Sequence, residues 1–265
     1  MREEKNFFYL WALKMTDYRI IDIPSLDSDE LAELMLTLPQ WRREEARKIR
    51  LERGRRECCL SYLLLCDILE RSFGITQRPR FERREHGKPV LVFPCGSDGD
   101  MEKGRNLGLH FNLSHCKRAI ACIVSDEGEV GIDVECTGRY TPRLAEYCMS
   151  EAENRRIVAA DDSDTEFTLL WTRKEALLKL TGEGITDDMK TVLESGRMDG
   201  VSLQSRCCRE RGYAWTVAVR RRKEDGMTKG GIFPAIVGTF YLILGSSIIS
   251  FPIGIMSGIY MNEYA

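Results

Sequence analysis

No Cys-x-x-Cys occurs among the ten cysteines. The closest pairs are direct neighbours, Cys58–Cys59 and Cys207–Cys208, so the spacing that builds a structural zinc site is missing. The charged stretch Met1 to Lys5 is not followed by the apolar core of a secretory leader. Free, mostly buried thiols in a reducing cytoplasm are therefore expected. Excess charge is missing too: a net charge of −2 gives no basis for bulk nucleic-acid binding. Basic residues do cluster at 42–56 and 220–223, where a solvated helix face is the plain reading. There is no short internal repeat. The last absence is the most unusual. From Gly230 to Asn262 there is not one charged residue, a run longer than the roughly 20 apolar residues that cross a bilayer.

The rest of the chain is globular in composition, with 43% hydrophobic and 30% charged residues, proportions that bury a core and keep a wettable surface. Its pattern divides it into residues 6–125 and 126–222, two α+β halves, then a polar junction at 223–229 and the apolar segment 230–265. In the first half a strand is expected over Phe7 to Met15. A short helix over Asp29 to Leu38, capped by Ser28, has Leu31, Leu34, Met35 and Leu38 on one face. A long helical stretch follows from Trp41 to Phe73, stopped by Gly74. Alternation from Leu107 to Leu113 predicts a half-buried strand, and Ala119 to Val124 a more buried one. In the second half Val130, Ile132 and Val134 alternate with Gly131, Asp133 and Glu135. A helix opens at Ser150, a longer one spans about Thr165 to Thr181 before Gly182, and Tyr213 to Val219 forms the last strand.

Three features of this pattern carry chemistry. Asp133 and Glu135 share one face of a strand, about 7 Å apart along it. Glu175 and Lys179 are four residues apart on a helix that also holds Trp171 and Lys174. Lys88, Ser114 and His115 are candidate phosphate donors. Carboxylate oxygens suit Mg²⁺, which is usually held by a few carboxylates together with substrate phosphates and water. Cations then hold the remaining phosphate oxygens, the general arrangement for transfer at a diphosphate. Each pair also has a plain reading, as the wet face of a strand or an exposed helical ion pair, and spacing alone does not bring the elements together.

The segments Gly131-Ile132-Asp133-Val134-Glu135, Ser150-Glu151-Ala152-Glu153 and Trp171-Thr172-Arg173-Lys174-Glu175-Ala176-Leu177-Leu178-Lys179 closely resemble the signature of the 4'-phosphopantetheinyl transferases. Upstream, Gly87-Lys88-Pro89 and Phe111-Asn112-Leu113-Ser114-His115 resemble the family's coenzyme A motifs. Order and spacing agree over about residues 8–220. The resemblance implies an α+β fold of two pseudo-symmetric halves, the long, surfactin-synthetase-activating type of the family, acting as a monomer with the site between the halves. It implies transfer of the phosphopantetheine arm of coenzyme A to a serine of an apo acyl or peptidyl carrier protein, with Mg²⁺ and no nucleic-acid partner. Asp133, Glu135 and Glu175 match the Mg²⁺ carboxylates. Lys179 matches a lysine on the diphosphate. Lys88, Ser114 and His115 match contacts to the adenosine end, Arg56 a nucleotide-contacting arginine, and Arg42 and Arg43 are further phosphate candidates. Glu153 matches a glutamate proposed as the base for the carrier serine, yet Ser150-x-x-Glu153 also spells a capping box; both roles stay open.

Residues 230–265 resemble a piece of a phosphate ABC transporter permease, an apolar helical tail about one span long, preceded by Arg220, Arg221, Arg222, Lys223 and Lys229. With that basic flank the preceding part is expected on the cytoplasmic side, with the tail in contact with a membrane. The rival expectation is a membrane-anchored, non-catalytic binding protein with the same fold.

Overall fold

The computed structural model describes residues 15–83, 88–95, 100–184, 188–194 and 196–220. Chain contacts divide the protein into two units, residues 1–222 and 223–265. The second unit lies outside the described residues, and with it the expectation for the apolar tail; the strand expected over 7–15 lies there too, except for its last residue. Among the described residues no helix is long and apolar enough to cross a membrane.

The first unit is mixed α and β. Its chain order begins β1 (Thr16–Asp22), α1 (Ser28–Leu36), α2 (Gln40–Lys48), α3 (Glu52–Phe73), β2 (Arg80–Arg83), β3 (Pro89–Cys95), β4 (Asp100–Arg105), β5 (His110–His115) and β6 (Ala119–Ser125). It continues β7 (Val130–Cys136), α4 (Pro142–Cys148), α5 (Glu151–Ala159), α6 (Ser163–Thr181), β8 (Val201–Cys208) and β9 (Tyr213–Arg220). The strands form three antiparallel sheets, ordered β1-β6-β5, β2-β3-β4 and β7-β9-β8. The first and third have one strand order: an outer strand, a helical excursion ending in a long helix, and a hairpin whose last strand inserts in the middle, with β2, β3 and β4 placed before the hairpin in the first.

Alternation decides what each sheet face meets. In β6, Ile120, Cys122 and Val124 pack with Leu64, Leu65, Ile68 and Leu69 of α3. The intervening Ala119, Ala121 and Ile123 pack with Val130, Ile132 and Val134 of β7 and with Tyr213 and Val217 of β9. β6 is therefore buried along its whole length. The opposite face of the third sheet takes α6, where Ala176 and Leu180 meet Ala218. At Gly131 the approach is closest. A β-carbon there would stand 2.1 Å from the Ala176 carbonyl oxygen and 2.7 Å from the Leu180 nitrogen, so only glycine lets α6 lie on β7 at this depth.

Several boundaries differ from those the sequence suggests. Asp27, not Ser28, caps α1: its side chain accepts from the amides of Asp29 and Glu30, and Glu30 closes the box on the Asp27 amide. The stretch 41–73 is two helices, because Ile49 and Leu51 take extended ψ angles of 121° and 132°. The bend lets Ala46, Cys59 and Tyr62 surround Leu31 and Met35 in one cluster, which a straight helix could not do. β5 begins at His110 and α6 at Ser163, where Asp162 caps it.

Candidate functional site

The site grows from the seam between β5 and β7. These strands share no backbone ladder. Instead the side chains of β5 receive the amides of β7: Asn112 Oδ1 accepts from Ile132 N (3.0 Å) and Ser114 Oγ from Val134 N (3.3 Å). Ser114 also donates to Asp133 Oδ1 (2.9 Å), and Lys179 Nζ donates to both Asp133 Oδ1 (2.6 Å) and Ser114 Oγ (2.9 Å). Asp133 is 3% exposed, and its second oxygen, Oδ2, is buried with no hydrogen-bond partner.

Glu135 and Glu175 add negative charge close enough to interact with Asp133. Burial pushes the Glu175 carboxyl above its ordinary range, and the charges of Asp133 and Glu135 push it further, against the pull of Lys179. Burial and Asp133 likewise raise Glu135, with Arg139 (2.8 Å) and Lys179 opposing. Three carboxylates thus face one another across β7 and α6 with one lysine among them. Among the described residues no group of three His, Cys, Asp or Glu side chains is closed tightly enough to hold a metal alone. A partial set fits Mg²⁺, which takes one or two carboxylates and completes its shell with substrate phosphates and water. The bare Oδ2 of Asp133 supplies the hard oxygen such an ion needs.

The other expected residues are placed as follows. Glu153 is a cap: its Oε2 accepts from Ser150 N (2.7 Å), and Ser150 Oγ accepts from Glu153 N (3.3 Å). The same Oε2 meets Lys174 Nζ at 2.7 Å. Lys174 is fully buried and also donates to Met189 O at 2.6 Å. Lys88 Nζ donates to Val130 O (2.8 Å) and Leu180 O (2.7 Å), clasping the start of β7 to the last turn of α6, and burial lowers its pKa to about 8. Gly87 lies outside the described residues. His115 Nε2 is 3.4 Å from Glu57 Oε2, whose other oxygen receives Arg53 at 2.7 Å. Arg56 donates to Pro24 O and Leu26 O, and Arg43 to Met35 O, Leu36 O and Leu38 O. Arg42 lies over the rings of Phe81 and Tyr62 at 5.1 and 5.6 Å. Asp133, Glu135, Glu175, Lys179 and Ser114 are brought together; Lys88 sits at the start of β7, and His115 follows Ser114 at the end of β5, where it meets Glu57. Residues the sequence reading left without a role are Asn112 and Gly131, although the alternation Asn112-Leu113-Ser114 was the available signal for a polar edge.

A cavity of about 400 Å³ opens at the starts of β5 and β7, lined by Lys88, Val90, Phe111, Glu129 and Leu180. A smaller one, about 60 Å³, lies beside Glu135 between Arg139, Phe167 and Trp171. Of the three carboxylates, Glu135 lines the smaller cavity.

Residues 129–228 match the family model described as the 4'-phosphopantetheinyl transferase superfamily. The chain is similar to "4'-phosphopantetheinyl transferase Sfp" of Bacillus subtilis, 27% identical over 164 residues, 61% of this chain and 67% of that protein. It is similar to "4'-phosphopantetheinyl transferase AcpT" of Escherichia coli K12, 34% identical over 121 residues, 40% of this chain and 60% of that one. It is also similar to "4'-phosphopantetheinyl transferase HetI" of Nostoc, 30% identical over 162 residues, 59% and 64% of the two chains. The chain thus spans about two thirds of these relatives or less.

Proposed function

We propose that this chain, which belongs to the 4'-phosphopantetheinyl transferase superfamily, moves the phosphopantetheine arm of coenzyme A onto a serine of an apo carrier protein and releases 3',5'-adenosine bisphosphate. The observation that carries this reading is the meeting of Asp133, Glu135 and Glu175 with Lys179 at one face of β7. That charge pattern suits a diphosphate with its cation and suits no neutral substrate. When bound at these carboxylates, Mg²⁺ would neutralise charge on the diphosphate. Lys179 would hold an oxygen of the departing bisphosphate as the bond to the β-phosphorus breaks. Ser114 keeps Asp133 and Lys179 in register. His115 and Arg56 are proposed for the adenosine end, together with Lys88, whose ammonium keeps a third proton beyond its two carbonyls. For Glu153 the bonds on Oε2 support the cap and the partnership with Lys174 over the role of base.

The proposed division is residues 6–125 and 126–222 for the two halves, 223–229 for the junction and 230–265 for the apolar segment. The repeated strand order supports the two halves. The test of function is direct: incubate the chain with coenzyme A, Mg²⁺ and a panel of apo carrier proteins, and weigh each carrier. Addition of one phosphopantetheine to a carrier serine is expected. If none gains mass while coenzyme A still binds, the non-catalytic reading takes its place.

A further inference from the structure

We propose that Cys116 and Cys136 form a reversible disulfide that ties the end of β5 to the end of β7 beside the carboxylate site. The geometry comes from the seam. Its two hydrogen bonds, from Ile132 to Asn112 and from Val134 to Ser114, span the same offset of 20 residues, so the strands run side by side in one direction. Continuing two residues further sets Cys116 opposite Cys136. Both belong to the same apolar cluster, with Tyr213 and Val134 around them. Cys116 also sits in a tight turn: its amide donates to Ala119 O at 2.9 Å, and the Arg118 amide points at its sulfur at 3.5 Å.

The two sulfurs differ in access. Cys136 is half-buried and Cys116 is 7% exposed. The outer sulfur therefore meets the oxidant and the inner one resolves it. With hydrogen peroxide, Cys136 S–H becomes S–OH as the O–O bond breaks and one water leaves. Cys116 sulfur then attacks Cys136 sulfur, its proton joins the departing hydroxide as a second water, and S–S forms. Two thiols are oxidised and one peroxide is reduced; a thiol reductant reverses the step. In a reducing compartment such a bond is transient and suits a signal. His115 and Glu135 immediately precede the two cysteines, so closing the bond moves both. The effect on transfer rests on the function proposed above, whereas the cross-link does not.

The experiment treats the full chain with hydrogen peroxide, alkylates free thiols, digests with trypsin and maps linked peptides, measuring transfer in parallel. The expected result is a linked pair containing Cys116 and Cys136. Transfer falls about tenfold or more, the scale of a small displacement of positioning groups, and both changes reverse with dithiothreitol. Cys136→Ser and Cys136→Ala should each retain transfer and resist peroxide; Cys116→Ala is the third arm, and a thermal melt checks each fold. Both peptides remaining free while other cysteines oxidise overturns the pairing. A bond that forms with transfer unchanged overturns the switch. Absence of transfer in the reduced protein counts against the transferase reading and leaves the peptide result decisive for the pairing.

Discussion

The first and third sheets have one strand order and opposite interiors. Against β1-β6-β5, α3 lays a dry stripe: Leu65, Ile68 and Leu69 are fully buried on Ile120, Cys122 and Val124. Against β7-β9-β8, α6 brings Lys174, Glu175 and Thr172 to buried positions. Thr172 and Thr216 share a hydrogen bond of 2.8 Å there. Burying polar groups is unfavourable unless each finds a partner, so the second half keeps its charge only through specific bonds, and at Asp133 Oδ2 the bonding is left unfinished. The comparison teaches that one strand order can take an apolar interior on one sheet and a charged one on the other.

The comparison is sharpest at Lys174. Lys174→Ala leaves Glu153 without its buried counter-charge and frees Met189 O, and is expected to destabilise folding by about 3–5 kcal/mol, read by urea denaturation. A loss no larger than that of an exposed lysine would break the contrast. In the frame, Leu65→Ala is expected to destabilise by about 2–5 kcal/mol, while the folded fraction transfers at the wild-type rate. A fall in turnover per folded molecule would show that α3 reaches the chemistry after all.

At the site itself the order reverses, with activity lost and stability kept. Asp133→Ala is expected to reduce turnover by about 10²-fold or more with little change in melting temperature. Glu175→Gln carries a sign. The folded carboxyl is held above its ordinary value, so ionised Glu175 disfavours the metal-free fold, and that penalty grows as pH rises from the unfolded value through the folded one. The amide removes it, so the variant should melt higher than wild type at neutral pH without metal and turn over less. Added Mg²⁺ should raise the wild-type melting temperature and leave Asp133→Ala unmoved. A smaller effect is expected at His115, on the frame's own β5. His115→Ala should weaken coenzyme A by about 1.5–3 kcal/mol and 3'-dephospho-coenzyme A by less, measured by calorimetry. Equal weakening would remove His115 from the 3'-phosphate. The smallest effect is expected from ending the chain after Arg222, which should leave transfer unchanged; unfolding of the truncated chain would show that the proposed boundary at 223–229 is wrong.

How much of this was legible varies by element. β7 and α6 were readable because period two and an i, i+4 pair persist in Val130 to Glu135 and in Trp171 to Lys179, and their meeting came through the family resemblance. The depth of that meeting was not readable, since nothing in Gly131 as a letter says that a helix backbone lies 2.1 Å from its missing β-carbon. The break between α2 and α3 has no glycine or proline in Ile49-Arg50-Leu51; packing around Tyr62 made it. β8 went unread because Ser205 and Cys207 occupy inward positions where a strand pattern expects larger apolar residues. Arg56, Arg43 and Lys88 read as contacts to the nucleotide and its phosphates, and each also donates to two or more backbone carbonyls, a use that leaves no trace in local sequence.

The seam of Asn112 and Ser114 has a consequence for how such a site can change. A backbone ladder offers a rung at nearly every residue and accepts a shifted partner. Two side-chain rungs accept one alignment only. Sliding β5 by two residues would bring Ser114 opposite Cys136 and take its hydroxyl from Asp133, so the alignment of the strands and the aim of the central carboxylate are a single degree of freedom. A lineage can therefore redraw the loops around this seam freely, while the seam itself admits replacement only of both rungs at once.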